Sequence, residues 1–351
     1  MLQRLSRLYL HHELPPPIVA TDNIPAGGIT YTPGLKSERM FMKTRQFFDF
    51  SIALAAFLFL SGCSGTYAKT LKRADAINEA TSKPGYSLPA LSALAKGISD
   101  NEFSTAKIKR YSDTELTRLY KALSTITFSF PEDENHVAMQ EKVFQEKLAR
   151  HLSSEYDIKN MYKTFLAARM FDKARGIKNQ FPDIKLFSMP ETIISNNPTG
   201  ATLWRVYNVL DEGKTIELKV LPLDKGPKVV MVMLPGCAMG EAAMDEIMAD
   251  PNLATVFIKY GTVITNRVNA ESVALWKSHF NFQEVYLAYK ASDFPGLDFT
   301  ISPHFYFLQD GKIISQSEGW GGTGDQKESR NDLLKGFRGI SISTATTVGV
   351  N

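Results

Sequence analysis

The residues of this chain that are best suited to chemistry are its two cysteines, Cys63 and Cys237. Cys237 follows the apolar run from Lys228 to Leu234 and stands just before a predicted helix that begins at Met239. A helix N-terminus presents unpaired backbone N–H groups and a partial positive charge, which favour a thiolate over a thiol. Since the thiolate is the attacking species, Cys237 is a candidate nucleophile.

Cys63 has a different setting, at the end of a short apolar segment. The run from Phe50 to Leu60 is only about half as long as the ~20 residues that a membrane-spanning helix needs. A basic stretch beginning at Met42 precedes the run, and the small residues Ser61-Gly62 follow it. This order is typical of a signal peptide. The alternative is a buried core helix that ends in a chance cysteine.

The segment Leu60-Ser61-Gly62-Cys63 resembles the lipobox of bacterial lipoproteins, L-[AS]-[GA]-C. The resemblance implies that residues 42–62 are a signal peptide, cleaved before Cys63, and that Cys63 carries lipid through a thioether. It also implies a lipid-anchored protein of the bacterial cell envelope that faces the periplasm. Ser64, which follows the lipidated position, indicates the outer membrane rather than the inner one.

Residues 1–41 precede this signal and show no hydrophobic periodicity. Because they would make an unusually long basic region for a signal peptide, we expect translation to begin at Met42. The alternative is a genuine N-terminal extension, which would weaken the prediction of export.

The composition of the chain argues against several classes of function. With 40 basic and 37 acidic side chains, the formal net charge is +3, which provides no broad electrostatic surface for nucleic acid. Two cysteines cannot build a disulfide framework, and the sequence has no CxxC pair to indicate a structural zinc site or a dithiol redox couple. No cofactor and no metal is predicted, because the histidines are scattered and none is spaced to bind a metal together with Cys237.

The length of 351 residues suggests about two domains, an all-α domain followed by an α/β domain. Residues 67–182 show helical periodicity without strand-like alternation. Their last part, 161–182, is similar to one tetratricopeptide unit. A plain helical bundle is favoured over repeats, since stacks of repeats need about three units and no others are found at a regular period. Residues 183–200 are rich in turn formers and are predicted to be a linker.

Residues 201–338 are predicted to be the α/β domain, and 339–351 a C-terminal tail. Apolar alternation on both sides of Asp211-Glu212-Gly213-Lys214 predicts a β-hairpin at the start of the domain. Strands are then predicted at 228–234, 254–265 and 284–289, with helices at 239–248 and 270–280 between them. A second hairpin, 304–317, and a helix at 327–337 complete the domain.

This order, with Cys237 at the start of a helix after the first central strand, resembles the thioredoxin superfamily, particularly its membrane-tethered members of cytochrome maturation. The resemblance covers roughly residues 201–338 and includes Ser302-Pro303 before the strand HFYFL and the DGKII hairpin after it. It implies a thioredoxin-like fold, in which a central mixed sheet is flanked by helices and the bond before Pro303 is cis. It also implies a substrate groove opposite Cys237, formed by Gly236, Ala238, Met239, Gly240, Ser302 and Pro303.

The sequence departs from the superfamily motif W-C-x-x-C at two positions. Gly236 stands where the tryptophan is expected, and Gly240 stands where the resolving cysteine is expected. A mixed disulfide at Cys237 would need an external thiol, so the resemblance implies monothiol exchange with exported protein thiols or glutathione, or thiol oxidation sensed at one sulfur. The alternative is an inert Cys237 in a non-catalytic periplasmic adaptor that uses the fold as a scaffold. The oligomeric state stays open.

Overall fold

The computed structural model describes residues 67–83, 86–195, 200, 202–321 and 326–342. The predicted extension 1–41, the predicted signal peptide 42–62 and Cys63 lie outside the described residues, as does the tail beyond residue 342. Within the described ranges, no helix has both the length and the apolarity that crossing a membrane requires.

Residues 67–180, named here the helical half, consist of helices and loops. The bounds of the longer helices are α1 (67–80), α2 (Leu88–Ala95), α3 (Thr105–Ile108), α4 (Asp113–Ser129), α5 (Glu134–Ala149), α6 (Glu155–Ala167) and α7 (Phe171–Gln180). Helix α4 begins with a capping box, in which the Ser112 side chain accepts from the Glu115 backbone N–H and the Glu115 side chain accepts from the Ser112 backbone N–H. A second capping box, between Ser154 and Asp157, starts α6.

Residues 202–342, named here the α/β half, are built around a mixed sheet. Among the described residues, the seven strands of this half and β1, which precedes it in the chain, form one sheet in the order β1-β3-β2-β6-β5-β4-β7-β8. Strands β4, β5 and β6 are parallel neighbours, and β7 and β8 continue the sheet from β4 in antiparallel pairings. The bounds are β1 (Thr192–Ile194), β2 (Arg205–Leu210), β3 (Thr215–Val220), β4 (Pro227–Val232), β5 (Gly261–Thr265), β6 (Val285–Ala288), β7 (His304–Gln309) and β8 (Lys312–Glu318). The predicted mixed α/β class is confirmed.

The two faces of the sheet are covered differently. Because successive side chains of a strand point to opposite faces, Val229 and Met231 of β4 lie on one face and Val230 and Val232 on the other. The first face packs against helices, and the second lies under the loop that contains Phe294. The helices of this half are α8 (Ala238–Ala249), α9 (Pro251–Tyr260), α10 (Ala270–His279) and α11 (Gln326–Gly339).

Two predicted segments differ from the structure. The strand predicted at 254–265 is wrong over its first part, where α9 runs to Tyr260 before β5 begins. Pro251 at the helix start, the Asp250 cap and a buried apolar stripe at helical spacing (Leu253, Val256, Phe257) favour the helix there. The segment 183–200, predicted as a linker, contains β1, which pairs in parallel with β3. Three residues of edge strand are too short to leave a periodic signal.

The helical half packs against the carboxyl ends of β5 and β6. Arg169, in the turn between α6 and α7, donates from Nη2 to the carbonyls of Asn266, at 3.0 Å, and Ala288, at 2.7 Å. Glu132, between α4 and α5, accepts from the hydroxyl of Ser292 at 2.7 Å. Buried apolar residues of both halves belong to one continuous core. Strands β4, β5 and β6 run parallel, so the loop after β4 leaves the sheet at the same end as the loops after β5 and β6. The helical half therefore lies at this end, the carboxyl edge of the sheet.

Candidate functional site

Cys237 is the N-cap residue of α8, at the carboxyl edge of the sheet. The chain turns from β4 into the helix through Gly236, whose φ of 81° lies in the left-handed region that favours glycine. The backbone N–H of Cys237 donates to the carbonyl of Leu234 at 3.1 Å and closes this turn. The side chain is half-buried and makes no capping hydrogen bond, so the thiol stays available to a partner.

The structure brings Cys237 and the Ser302-Pro303 segment together. The Sγ of Cys237 lies 3.2 Å from the carbonyl oxygen of Ser302, to which the thiol donates. The hydroxyl of Ser302 accepts from the backbone N–H of Leu234 at 3.0 Å, which fixes the segment against the loop after β4. The Ser302-Pro303 bond is cis, as the resemblance implies, and the Pro303 carbonyl accepts from the Gly319 N–H at 2.8 Å. Thiol and proline loop therefore form one site.

The other residues predicted around the thiol fall into two groups. Gly236 and Ala238 are exposed on either side of Cys237, and the Met239 side chain is 47% exposed. These three residues form an accessible rim around the sulfur. Gly240, in contrast, is buried beneath that rim.

Gly240 occupies the position where the superfamily motif has its second cysteine, and the structure leaves little room for a side chain there. A Cβ added at Gly240 would lie 2.8 Å from Cγ of Met233 and 3.5 Å from Oγ of Ser302. Met233 is fully buried, and real Cβ atoms do not approach carbon this closely. The position of a resolving thiol is thus filled by the Met233 side chain.

These contacts define the chemistry that the site can perform. The S–H···O bond to Ser302 exists only while Cys237 is protonated, so forming the thiolate releases the sulfur from the proline loop. Within the described ranges, no group of three or more His, Cys, Asp and Glu side chains is placed to hold a metal ion. The arrangement offers one accessible sulfur beside an ordered backbone carbonyl, which suits exchange with an external sulfur.

Sequence reasoning missed a pair of arginines at the same edge. Arg267 follows β5, which is the neighbour of β4, and its guanidinium lies over the Phe128 ring, 4.7 Å from the ring centroid. Arg169 lies beside it at the junction of the two halves. Burial lowers the pKa of both side chains, that of Arg169 to about 10. No sequence motif marks them, because Phe128 and Arg169 come from the helical half.

His304, directly after Pro303, was predicted only as part of a strand. It is 2% exposed, and its Nδ1 lies 2.7 Å from the hydroxyl of Tyr306, which accepts from the Asp298 N–H at 2.6 Å. The ring and the hydroxyl share this one hydrogen bond, and the buried Nε2 has no hydrogen-bond partner among the described residues. Burial lowers the pKa of His304, and the carboxylates of Glu318 and Asp298 offset this only in part.

Comparison with known proteins gives little beyond this geometry. No protein-family model and no curated protein matches the chain. Among solved structures, it is similar to a thioredoxin-like protein from Bacteroides caccae, at 11% sequence identity and a TM-score of 0.26. The similarity covers 66% of this chain and 80% of that one.

Proposed function

We propose that residues 202–342 form a thioredoxin-like domain in which Cys237 exchanges disulfides with external thiols. The observation that carries the proposal is the placement of a half-buried sulfur at the start of α8, 3.2 Å from the carbonyl that precedes a cis-proline. The strand order β5-β4-β7-β8, with β4 leading to the cysteine and Pro303 leading into β7, supports the same assignment.

The proposed reaction is monothiol exchange. The Cys237 thiol loses its proton to water, and its sulfur attacks one sulfur of a partner disulfide. A new S–S bond forms at Cys237, the partner's S–S bond breaks, and the second partner sulfur leaves as a thiolate that takes up a proton. A further thiol of the glutathione class, or of a protein, then attacks the partner sulfur and releases Cys237 as a thiolate. No net oxidation occurs in the cycle.

The contact between Gly240 and Met233 supports an external second thiol. An internal one would stand at residue 240, where a Cβ meets Met233. We further propose that the protein is exported and lipid-anchored through Cys63, facing the periplasm from the outer membrane, so that its partners are exported proteins or glutathione. The support for this part is the lipobox-like sequence.

A non-catalytic adaptor is the second candidate. The observation that favours it is the continuous core shared by the two halves, which makes the α/β half a rigid support for the helical half. In that case the thiol of Cys237 would serve only as a donor to Ser302.

The test uses the full chain with Cys63→Ser, because Cys237 is then the only cysteine of the original two. The folded protein is incubated with glutathione disulfide, and its intact mass is measured with time. We expect one glutathionyl group per chain, released again by reduced glutathione. The matched control is the Cys63→Ser/Cys237→Ser double variant, which should gain nothing.

The opposite result would support the adaptor. If the folded chain stays unmodified while the same chain in urea gains the glutathionyl group, Cys237 is an inert structural cysteine. For the anchor, we expect Cys63→Ser to abolish incorporation of labelled palmitate, whereas Cys237→Ser should label as the parent does. Equal labelling of the two variants would contradict lipidation at Cys63.

A further inference from the structure

The loop after β5 carries a charged side chain at the same carboxyl edge of the sheet as the thiol site. Strands β4 and β5 are parallel neighbours, and the Met233 backbone N–H, just past β4, donates to the Ile264 carbonyl at 3.1 Å. Cys237 follows the first strand and Arg267 the second, so both lie at the carboxyl edge of the sheet. In open α/β sheets, ligands bind outside this edge.

Arg267 is held in place without an ionic partner. Its backbone N–H donates to the Thr265 hydroxyl at 3.3 Å, and its guanidinium lies over the ring of Phe128, which is 61% exposed. Among the described residues, no carboxylate forms an ion pair with it, and burial is the main cause that lowers its pKa. A stacked guanidinium keeps its N–H groups free for an anion in the plane of the group.

Arg169 adds a second positive charge behind it. Its N–H groups bond to backbone carbonyls, while its buried Nε–H has no hydrogen-bond partner. The carboxylate of Glu132 lies close enough to influence the pKa of Arg169, but it is already engaged by the loop at Ser292. The combined positive charge of Arg267 and Arg169 is therefore neutralised only in part.

Other cationic side chains near this junction form ion pairs. Arg205 forms a two-point ion pair with Asp293, at 2.8 Å for each bond, and Lys290 lies 3.4 Å from Glu134. Both of these cationic side chains are thus paired with a carboxylate, whereas Arg267 is not. Guanidinium groups suit carboxylates through their planar set of donors.

We infer that Arg267, on the Phe128 ring and backed by Arg169, binds a carboxylate of the disulfide partner that reacts with Cys237. This inference rests on the proposed exchange reaction and deepens it by naming the chemistry of the partner. A carboxylate can come from glutathione or from an acidic residue that flanks a cysteine in an exported protein. The helical half contributes to the specificity of the thiol site, because Phe128 belongs to α4.

The kinetic test compares disulfides that differ in charge. The Cys63→Ser chain is reacted with glutathione disulfide, which carries carboxylates, and with cystamine, which carries amines and none. We expect Arg267→Gln to slow the reaction with glutathione disulfide about tenfold, corresponding to ~1.4 kcal/mol, and to leave or increase the cystamine rate. The difference should shrink with salt, as for any partly exposed charge pair. Arg267→Lys should restore part of the rate.

The matched control is Arg110→Gln, the same chemical change at an exposed arginine of the helical half. It should leave both rates unchanged. An equal effect of Arg267→Gln on both disulfides, or no effect on either, would overturn the carboxylate site while the exchange reaction stands. A peptide disulfide flanked by glutamate, compared with glutathione disulfide, tells which source of carboxylate reacts faster.

A binding measurement separates the site from the reaction. S-methylglutathione is titrated into the Cys63→Ser/Cys237→Ser chain by calorimetry, with and without Arg267→Gln. We expect the Kd to rise about tenfold in the Arg267 variant and to stay constant with Arg110→Gln. If no disulfide reacts with Cys237, the proposed function fails. The titration still shows whether Arg267 binds a carboxylate, because it involves no reaction at Cys237. Equal affinity in all variants would overturn it.

Discussion

Two buried polar clusters of the helical half differ from the polar groups at the carboxyl edge of the α/β half in how completely they are paired. In the helical half, Lys147 of α5 and Asp157 of α6 form an ion pair at 2.9 Å, with side chains only 3% and 11% exposed. Asp157 also accepts from the backbone N–H of Ser154 at 2.9 Å. Charge and hydrogen-bonding capacity are both satisfied inside the half, as a stable buried pair requires.

A neutral example in the helical half shows the same completeness. Fully buried Gln140 accepts from Thr127 at 2.6 Å and from Thr164 at 3.2 Å. Its amide donates to Ser124 at 3.0 Å and to Asn160 at 2.8 Å. Both donors and the acceptor of this side chain are used.

At the carboxyl edge, three groups are left with unused hydrogen-bonding or charge capacity. Arg267 has a ring and no carboxylate, Arg169 has an unused Nε–H, and Cys237 has one hydrogen bond that exists only while it is protonated. The comparison indicates that the buried pair and the buried amide completed within the fold serve stability, whereas the incomplete groups at this edge lie together beside an accessible sulfur. Single unpartnered buried atoms, such as the Tyr111 hydroxyl, also occur elsewhere in the helical half.

The largest expected effect is a test of the completed pair. Lys147→Met should lower the free energy of unfolding by about 3 kcal/mol, because it leaves the Asp157 carboxylate buried without its cation. Urea unfolding of the parent and the variant measures the difference. The matched control is Lys159→Met, which removes an exposed partner of Glu155 and should cost about 0.5 kcal/mol or less. Equal losses in the two variants would show that the buried pair is not special.

A smaller effect is expected at Gly240. Gly240→Ala should destabilise the protein by about 1 kcal/mol, since its Cβ would meet buried Met233 and overpacking outweighs the gain in helix propensity. The same urea titration provides the value. Any stabilisation would mean that Met233 moves aside, and that position 240 could accept a second cysteine after all.

The corresponding change in the helical half should have the opposite sign. Gly176 lies in α7, where an added Cβ would meet nothing within 4 Å. Gly176→Ala should therefore raise the free energy of unfolding by about 0.5 to 1 kcal/mol through helix propensity. Opposite signs at the two glycines would sharpen the contrast between the open helical surface and the filled position beside the thiol, and a shared sign would remove it.

The smallest effect on the free energy of unfolding at neutral pH is expected for His304→Gln. The pKa of His304 in the folded state lies below the usual 6.5, because burial disfavours the charged ring. As the pH falls below about 6.5, the unfolded chain binds a proton before the folded one does, so stability decreases over the window between the two pKa values. His304→Gln should flatten the loss of stability between pH 7 and pH 5. Urea unfolding at several pH values between 7 and 5 measures this slope, and an unchanged slope in the variant would contradict the assignment.

Several elements were predictable from local sequence. The capping box at Ser112, the hairpin around Asp211-Glu212-Gly213-Lys214 and the helix that begins after Cys237 depend on residues close together in the chain. Each has a signal in spacing or in turn residues, and each is present in the structure. The apolar run 254–265 was ambiguous because buried helices and buried strands share such composition, and Pro251 was the local signal that favoured a helix.

The sequence alone determined that a cysteine starts a helix after a buried strand, and that a Ser-Pro pair precedes another strand. Only the tertiary structure decided that the two meet at 3.2 Å, that Met233 fills the position of a second thiol, and that Arg267 lies on Phe128. The physical reason is separation along the chain. Caps and turns are specified by a few neighbouring residues, whereas these contacts exist only after distant segments pack on one sheet edge.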